Sequence, residues 1–529
     1  MIFRAPEPDV EIPETALTPF LMERALRRAD KPAFIDGPTG RTITHRQWVV
    51  LTRRAAAGLT SRGFGKGDVF AIFSPNLPEY AIAFHAVSLV GGINTTINPT
   101  YSVAELVQQL KDAGARYLVT VPPCTEKALE AARQSGVQEV FVFGEAEGAT
   151  PFATLLSGEG DPPAVTIDPR RDLVALPYSS GTTGIPKGVM LTHHNLVANF
   201  VQSAAGMCVE EDDVLLGVLP FFHIYGMTVI MNFALYLGAT VVTMPRFDLE
   251  QCLSTIQKYG VTGANVVPPI VLALAKHPLV DKYQLGSLRF LLSGAAPLTE
   301  HLAAAAAARL GCRVMQGYGL TETSPVTHAT RMHGPQISAG SIGPPVPNTE
   351  VKVVDVATGA MLSTGQEGEI CIRGPQVMRG YWNRPDATSE MIDGDDWLHT
   401  GDIGYADENG CFFIVDRLKE LIKYKGLQIA PAELEAVLLG HPGVADAAVI
   451  PIADECAGEV PKAYVVLKGS AESGDVESEI MQYVAERVAP YKKLRAIEIT
   501  PQIPKSPSGK ILRRLLVDQE RARAAANQV

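Results

Sequence analysis

The sequence predicts an α/β protein with a large N-terminal domain of parallel sheets and helices, a small β-barrel-like subdomain, and a small α+β domain at the C-terminus. The first observation is length, because 529 residues exceed what one hydrophobic core usually holds. The second is that short β-rich runs alternate with stretches of helical period from Asp68 to Gly317, which is typical of parallel sheets covered by helices. The third is that the pattern of apolar runs and turns changes near Gly343 and again near Arg417.

The predicted strands of the large domain are short apolar runs bounded by turn residues. They are VFAIF at 69–73, RYLVTV at 116–121, EVFVFG at 139–144, DVLLGVLP at 213–220, ATVVTMP at 239–245 and LRFLLSG at 288–294. From 343 to 413 the shorter runs EVKVVD and GEICIRG with glycine-rich turns favour a small barrel or curled sheet. After residue 417, PAELEAVLLG and SEIMQYVAERV predict helices, and ADAAVIPI and AYVVLKG predict strands. We therefore place a domain boundary near residue 417.

Composition excludes several classes of protein. The net charge of −11 argues against a general nucleic-acid or anionic-membrane binder, which needs a basic surface. No stretch approaches the ~18 uninterrupted apolar residues of a membrane span. The seven cysteines lack CxxC spacing, the acidic, proline-rich start has no apolar signal region, and the chain ends NQV, which is not a peroxisomal address. These features predict a reduced, cytoplasmic setting.

The segment SSGTTGIPKG at 179–188 combines glycines, hydroxyls and one lysine between a β-like run and a helical pattern. Glycines let the backbone approach a bound group closely, and hydroxyls with a cation suit phosphate oxygens. The candidate phosphate-binding residues are Ser179, Ser180, Gly181, Thr182, Thr183, Gly184 and Lys187. Pro186 and Gly188 occupy the places where the Walker A motif needs Gly and Ser or Thr, which argues against kinases and P-loop ATPases. The alternative is a flexible surface loop.

This segment resembles the phosphate loop of the adenylate-forming superfamily, which contains acyl-CoA ligases, luciferases and peptide adenylation domains. Seven further motifs follow in that family's order over nearly the whole chain: LPFFHIYG at 219–226, SGAAPL at 293–298, QGYGLTETSP at 316–325, GEICIRG at 368–374, WLHTGDIG at 397–404, DRLKELIKYKGLQIAPAELE at 416–435 and PKSPSGKILRR at 504–514. The resemblance implies that ATP converts a carboxylic acid into an acyl-adenylate with release of pyrophosphate, and that a thiol then takes the acyl group.

The resemblance also assigns roles to the other ATP-site residues. Glu322 would hold Mg²⁺ and Thr321 would contact the α-phosphate, which suits a hard cation that needs oxygen ligands. Asp402 and Arg417 would bind the ribose, and the alternative for this pair is a hinge salt bridge. Lys510 would stabilise the charge that develops during adenylation. The remaining ATP or AMP contacts would be Gly294, Ala295, Ala296, Gln316, Gly317, Tyr318 and Gly319, with Tyr318 stacking on adenine, and Lys423 and Gln428 from the C-terminal domain.

The two half-reactions share one acid pocket, so the resemblance implies a mobile C-terminal domain that alternates between two poses. The predicted domains are residues 1–416 for ATP and the acid, a hinge at 417–420 that pivots at Lys419, and residues 421–529, which carry the adenylation lysine. Lys425 and Gly426 would lie beside the pantetheine of CoA. Mg²⁺ is the expected cofactor, ATP and CoA are the expected co-substrates, and a monomer or weak dimer is expected.

The acid pocket implied by the resemblance is lined by apolar, small and polar residues, and His223 closes it off. They are His223, Ile224, Tyr225, Thr228, Asn265, Gly294, Ala295, Gly317, Gly319, Pro325, Val326 and Thr327. Three glycines leave a flat slot that suits a planar aryl acid, and KELIKYKGLQIAPAELE is similar to the 4-coumarate-CoA ligase version of that segment. The hypothesis is therefore an acid-thiol ligase for hydroxycinnamate or cinnamate, as in phenylpropanoid chemistry. The alternatives are a medium- or long-chain fatty acyl-CoA ligase, which LTETSPVTH also resembles, a luciferase-like oxygenase, and a non-catalytic nucleotide-binding protein.

Overall fold

The computed structural model describes residues 1–157, 160–179, 186–207, 209–331, 337–338, 340–418, 420–424, 427–454, 457–468, 476–488, 490–506 and 509–526, with only the backbone described at 427–428 and 524–526. It divides into two compact units. The larger unit comprises Ile2–Val351 and Ile372–Leu398, and the smaller comprises Met1, Lys352–Cys371 and His399–Val529. This division does not coincide with the boundary expected near residue 417, because part of the small sheet groups with the C-terminal residues. The boundary and the hinge remain predictions.

A seven-stranded sheet forms the first layer of the larger unit. Its strands, in spatial order, are Leu191–Thr192, Leu173–Ala175, Ile93–Ile97, Val69–Phe73, Ala115–Thr120, Glu139–Val142 and Thr150–Pro151. All neighbouring pairs are parallel except the first, which is antiparallel. The associated helices are Pro78–Leu89, Val103–Ala113 and Thr125–Ser135. Every residue of Val69–Phe73 is buried, as expected of a central strand in a parallel sheet covered on both faces.

An eight-stranded sheet positions most of the candidate acid-binding residues. Its strands, in spatial order, are Val326–Ala329, Arg313–Gly319, Phe290–Ser293, Gly263–Val266, Val214–Gly217, Thr240–Thr243, Pro32–Asp36 and Thr42–Thr44. The outermost pair at each end is antiparallel and the central strands are parallel. The remaining α-helices of the larger unit are Leu17–Leu26, His45–Ser61, His193–Gly206, Phe233–Leu237, Leu249–Tyr259, Pro268–Lys276, Glu300–Leu310 and Pro385–Met391, and Tyr225–Asn232 is a π-helix.

Two further sheets contain the strands of the smaller unit. A five-stranded sheet consists of Ile2–Phe3, Glu350–Val354, Gly368–Arg373, Leu398–Ala406 and Phe412–Arg417, of which residues 352–371 and 399–417 belong to the smaller unit. A second sheet contains Leu427–Ile429, Ile422–Tyr424, Gly458–Leu467 and Val444–Asp454, with Ala496–Ile499 beside Gly458–Leu467. The α-helices here are Pro431–Leu439, Val476–Ala485 and Arg513–Ala526. The first two pack on a core that includes Leu434, Ala463 and Ile480, whereas Arg513–Ala526 contributes Leu516 to a separate core with Ile450 and Tyr464.

The predicted fold class is confirmed. Each of the six β-rich runs of the large domain contains a strand, and the helix and strand pattern after residue 417 is also observed. Across the described part of the chain, no helix combines the length and the apolar character that crossing a membrane requires.

Candidate active site

The two ends of the candidate phosphate loop pair with each other and form the base of the loop. Residues 180–185, which include Ser180, Gly181, Thr182, Thr183 and Gly184, lie outside the described residues. On either side of them, Tyr178–Ser179 pairs antiparallel with Lys187–Gly188, so that Ser179 is opposite Lys187. The Tyr178 hydroxyl donates to Asp112 Oδ2 at 2.6 Å, which anchors this base to the helix Val103–Ala113. Ser179 and Lys187 are therefore held opposite each other.

Tyr381 joins the base of this loop to the candidate magnesium ligand. The Lys187 ammonium lies 4.9 Å from the centroid of the Tyr381 ring, within cation–π range. The Tyr381 hydroxyl donates to Glu322 Oε1 at 2.8 Å. Burial and then the negative charge of Glu322 raise the pKa of Tyr381, so the hydroxyl keeps its proton and acts as a donor. Lys187, Tyr381 and Glu322 thus form one connected cluster in the larger unit.

Tyr381 is a candidate functional residue that sequence reasoning missed. Its position is fixed by main-chain pairing, since the N–H of Trp382 donates to Gly188 O at 2.8 Å and the N–H of Met190 donates to Gly380 O at 2.9 Å. Tyr381 lies 59 residues from Glu322 along the chain. The aromatic pair after Gly380 was the available signal, but nothing in it indicates these long-range partners.

Glu322 lies on a tight turn, Thr321–Thr323, directly after the strand Arg313–Gly319. The N–H of Met378 donates to the main-chain oxygen of Glu322 at 2.8 Å, and the residue is only 6% exposed. Gly319 is required here because a Cβ atom would lie 1.8 Å from Pro325 O, well inside contact distance. The turn therefore presents a buried carboxylate at a fixed place, with the partly buried Thr321 beside it.

The candidate adenine strip follows the strand Phe290–Ser293. Gly294 is buried, whereas Ala295 is exposed and adopts the left-handed conformation with φ 67°, which is unusual for a residue with a Cβ atom. The Gln316 amide donates to Leu298 O and accepts from Leu298 N–H, both at 3.2 Å. The structure thus gives Gln316 a role in holding the loop after the strip. Tyr318 is partly exposed and stands edge-on to the His328 ring at 5.7 Å.

Several predicted acid-binding residues meet at the carboxyl ends of the central parallel strands, where α/β sheets usually bind ligands. Asn265 pairs in register with Leu292, and the Tyr225 hydroxyl donates to Leu292 O at 2.9 Å. Gly294 lies against Tyr225, since a Cβ atom there would be 3.0 Å from Tyr225 Cε1. Gly319 pairs with Val326 across the neighbouring strands, so Pro325 also lies at this edge.

Two buried polar side chains of this group lack hydrogen-bond partners. Asn265 and Thr228 are each 1% exposed. The oxygen and nitrogen of the Asn265 amide have no hydrogen-bond partner among the described residues, and neither does the Thr228 hydroxyl. Burying an unpaired polar group costs about 1–3 kcal/mol, so these atoms suit a site where a ligand supplies the partner. Thr327, by contrast, is engaged internally with His328 Nδ1 at 3.0 Å.

His223 and Ile224 lie just before the π-helix Tyr225–Asn232. The N–H of Tyr225 donates to His223 Nδ1 at 3.3 Å, so in the neutral ring Nε2 carries the proton. Ile224 is buried at 2% exposed, whereas His223 is partly exposed. A π-helix frequently marks a functional site because it re-aims side chains within a helix.

Asp402, Arg417 and Lys510 form a second cluster, within the smaller unit. Asp402 pairs in register with Arg417, whose Nε lies 3.3 Å from Asp402 Oδ1. Burial and then the positive charge of Arg417 lower the pKa of Lys510 to about 8, while Glu420 and Asp402 act in the opposite direction. The turn that carries Lys510 is closed by the Lys510 N–H, which donates to Ser506 Oγ at 3.1 Å.

A buried ion-pair network that sequence reasoning also missed supports the Lys510 turn. Arg513 forms an ion pair with Glu435 at 2.7 Å and another with Glu420. Glu435 also accepts from the Val449 N–H at 2.7 Å. The charged residues of PAELE and ILRR are apparent in the sequence. Their pairing is not, because Glu435 and Arg513 are 78 residues apart.

Most of the other residues predicted to act from the C-terminal domain lie outside the described part of the chain. Lys419, Lys425 and Gly426 lie outside the described residues, as does the side chain of Gln428. The side chain of Lys423 is exposed, and its main-chain N–H donates to Glu459 at 2.8 Å. Among the described residues, no hydrogen bond or ion pair joins the Lys423 side chain to Asp402, Arg417 or Lys510. The predicted CoA and hinge roles therefore remain predictions.

Comparison with known proteins places the chain in a family. The model of the AMP-binding enzyme family matches residues 21–382, and that of the AMP-binding enzyme C-terminal domain matches residues 433–510. The chain is 45% identical to 4-coumarate–CoA ligase 5 of Oryza sativa subsp. japonica, over 99% of this chain and 98% of the relative. It is 44% identical to 4-coumarate–CoA ligase 1 of Petroselinum crispum, over 100% of this chain and 98% of the relative.

The fold is similar to that of the anthranilate CoA ligase AuaEII in complex with anthranoyl-AMP. The two superpose with a TM-score of 0.89 at 27% sequence identity, over 97% of this chain and 99% of that one. The predicted resemblance to the adenylate-forming superfamily is thereby confirmed. Because both family models match and the relatives align over nearly the full length, the chain belongs to the AMP-binding enzyme family.

Proposed function

We propose that this chain is an AMP-forming acid-CoA ligase for hydroxycinnamate-type aryl acids. The acid oxygen attacks the α-phosphorus of ATP, the bond to pyrophosphate breaks, and an acyl-adenylate forms. The CoA thiol then loses its proton and attacks the acyl carbon, and AMP leaves with the electron pair of the broken C–O bond. The relatives at 44–45% identity over nearly the full chain are named for this reaction of 4-coumarate.

The observation that carries the choice of acid is the unpaired, buried amide of Asn265. Asn265 lies on the strand Gly263–Val266 and pairs with Leu292 on the neighbouring strand. Tyr225 contacts both Leu292 and Gly294 at this point. A ring hydroxyl of the acid would form a hydrogen bond with the Asn265 amide. Because Gly294 has no side chain, it would leave room for a flat ring. An unsubstituted alkyl chain would leave the amide unpaired, at a cost of about 1–3 kcal/mol.

The roles proposed for the ATP-site residues follow their chemistry. Lys187 and the hydroxyl-rich loop 179–187 would bind the phosphates, and Asp402 and Arg417 the ribose. Lys510, partly buried beside this pair, would face the developing negative charge during adenylation, and burial strengthens that electrostatic effect. Its pKa of about 8 leaves it mostly protonated at neutral pH.

Mg²⁺ is part of the proposal, and Glu322 fits it. Oε1 of Glu322 accepts from Tyr381, and among the described residues no hydrogen-bond donor reaches Oε2. A buried carboxylate with one available oxygen is a ligand that suits a hard cation. When bound, Mg²⁺ would neutralise charge on the phosphates of ATP.

Domain alternation completes the proposal. Residues 421–529 would pivot at Lys419, so that Lys510 serves adenylation and Lys425 and Gly426 meet CoA afterwards. A monomer or weak dimer and a cytoplasmic location are also proposed. The support for alternation is chemical, because the lysine that assists adenylation would obstruct the incoming thiol.

A substrate panel tests the function. The protein is incubated with ATP, Mg²⁺, CoA and 4-coumarate, cinnamate, benzoate, octanoate or palmitate, and thioester formation is measured. We expect 4-coumarate and cinnamate to give the highest kcat/KM. Octanoate or palmitate above both would contradict the aryl assignment and favour the fatty acyl-CoA alternative. Background pyrophosphate exchange with every acid would contradict the ligase assignment.

A matched pair of variants tests the role of Asn265. Asn265→Ala should lower kcat/KM for 4-coumarate relative to cinnamate by roughly three- to tenfold, the equivalent of a net hydrogen bond of ~0.5–1.5 kcal/mol. Asn94→Ala is the control, because Asn94 is equally buried but its amide donates to Phe84 O and Val174 O. Asn94→Ala should leave the 4-coumarate to cinnamate ratio unchanged. Equal ratios in the two variants would mean that Asn265 does not meet the ring hydroxyl.

A further inference from the structure

A mixed cluster of Glu369, Cys371 and His399 lies in the smaller unit. Glu369 and Cys371 are two residues apart on the strand Gly368–Arg373, so their side chains leave the same face. His399 lies on the adjacent strand, Leu398–Ala406. One potential ligand atom from each of the three side chains lies within 4.8 Å of the other two. The pleat of two neighbouring strands therefore brings sulfur, nitrogen and oxygen donors together.

The distances within this cluster are close to those of a tetrahedral metal site. Cys371 Sγ lies 3.5 Å from His399 Nδ1. Bond lengths of ~2.3 Å for Zn–S and ~2.0–2.1 Å for Zn–N give a sulfur–nitrogen separation of ~3.6 Å at the tetrahedral angle. Glu369 Oε2 lies 2.9 Å from the same nitrogen, somewhat closer than two ligands of one zinc ion. A small movement of the carboxylate would therefore complete a three-ligand set.

We propose that Glu369, Cys371 and His399 form a binding site for a soft divalent cation of the Zn²⁺ class. A thiolate with an imidazole selects such a cation over Mg²⁺ or Ca²⁺, which prefer oxygen ligands. Cys371 is buried, whereas the His399 side chain is 33% exposed, so the ion and a water as fourth ligand enter from the histidine side. Binding replaces the thiol proton, and the proton that Nδ1 shares with Glu369, by the metal.

The site is connected to Asp402 through the main chain. Glu369 Oε1 accepts from the Gly401 N–H at 3.0 Å, and Gly401 directly precedes Asp402. Thr400, one residue further back, donates to Ile370 O at 2.7 Å and accepts from the Asp402 N–H at 3.0 Å. A carboxylate drawn onto the metal pulls away from Gly401 and disturbs this turn. This consequence rests on the proposed role of Asp402 in binding ribose, and it predicts that the cation weakens ATP binding.

Spectroscopy with Co²⁺ alone tests the site without any reference to activity. The full chain is treated with a chelator, freed of it, and titrated with Co²⁺. We expect thiolate-to-cobalt charge-transfer absorption that saturates at one ion per chain. Cys371→Ser should abolish it, and His399→Gln should weaken binding at least tenfold. Cys312→Ser is the matched control, because Cys312 is also buried but lies in the larger unit, and it should titrate as the wild type does.

Absence of the charge-transfer absorption in the wild type, or its persistence in Cys371→Ser, would overturn the proposal. Alkylation of the unmodified protein, followed by mass spectrometry of the peptide that contains Cys371, keeps the test independent of how the variants fold. Zn²⁺ should slow modification of Cys371 at least tenfold and leave Cys312 unchanged. Equal rates with and without Zn²⁺ would also overturn the site.

The link to ATP is tested separately, at saturating Mg²⁺. Zn²⁺ should raise the KM for ATP in pyrophosphate exchange in the wild type and Cys312→Ser, but not in Cys371→Ser. An unchanged KM together with the cobalt absorption would contradict the coupling through Gly401 and retain the metal site. Failure of exchange with every acid would count against the proposed function and leave the cobalt result standing.

Discussion

Replacing Tyr381 by phenylalanine removes one hydroxyl and little else. The ring that lies 4.9 Å from the Lys187 ammonium remains, so the cation–π contact is kept. What is lost is the 2.8 Å hydrogen bond to Glu322 Oε1. Tyr381→Phe therefore asks whether this hydroxyl positions the proposed magnesium ligand.

The expected magnitude follows from the type of hydrogen bond. A hydrogen bond to a charged group contributes ~1.5–3 kcal/mol, which corresponds to about ten- to 150-fold in an equilibrium constant. Loss of a hydrogen bond that orients a metal ligand typically weakens metal binding by about ten- to 100-fold. Glu322 is only 6% exposed, so water replaces the lost donor poorly. We expect the Mg²⁺ concentration for half-maximal activity to rise at least tenfold.

The assay is ATP–pyrophosphate exchange with 4-coumarate at fixed ATP and varied Mg²⁺, together with thermal unfolding of the protein. Tyr178→Phe is the matched control. Tyr178 also donates its hydroxyl to a carboxylate, Asp112 Oδ2, at 2.6 Å, and it lies at the base of the same loop. Tyr178→Phe should lower thermal stability and leave the dependence on Mg²⁺ within about twofold, on the same hydrogen-bond reasoning.

One result would refute the reasoning directly. If Tyr381→Phe and Tyr178→Phe have the same Mg²⁺ dependence as the wild type, the hydroxyl of Tyr381 does not position the metal ligand. A rise in both variants would mean that the base of the loop, rather than Glu322, controls the response.

Three further predictions concern the lysine and the pocket. Lys510→Ala should nearly abolish adenylation and spare thioester formation from supplied acyl-adenylate; equal loss of both half-reactions would contradict the two-pose proposal. The role proposed for Lys510 needs its charged form, so the rate of adenylation should fall up to about tenfold per pH unit above the pKa of about 8, and a rate unchanged between pH 7 and pH 9.5 would exclude this role. Gly294→Val should hurt ring-hydroxylated acids more than cinnamate, because its Cβ would lie 3.0 Å from Tyr225 Cε1; unchanged relative turnover would mean that Gly294 does not line the pocket.

The architecture was largely predictable because burial leaves a local pattern. Val69–Phe73 is apolar at every position because both faces of its strand are covered, and five apolar letters in a row show this. The helix Pro431–Leu439 begins at the proline of PAELE, where a helix tolerates that residue. Ser179 and Lys187 could be named because they lie in one contiguous motif, whereas Asp402 and Arg417 lie in two motifs and were named through the family resemblance.

The parts of the site that could not be predicted depend on contacts between distant segments. Tyr381 reaches Glu322 because Gly380 and Trp382 pair with the strand beyond the phosphate loop. Arg513 reaches Glu435 because its helix packs on the strand Val444–Asp454. Such pairs have no spacing rule, since their separation along the chain is set by the intervening fold. The unpaired state of the Asn265 amide is likewise visible only once its surroundings are known.

The placement of Lys510 shows why such distant partners matter for the proposed chemistry. Burial lowers the pKa of this lysine to about 8, so the fold disfavours its charged form relative to water. The same desolvation strengthens its attraction to a negative charge that forms beside it. The turn must therefore be held in place by other interactions. Arg513, three residues after Lys510, supplies them through its ion pairs with Glu435 and Glu420. It follows that the proposed role of Lys510 depends on the ion pairs of Arg513 as well as on Lys510 itself.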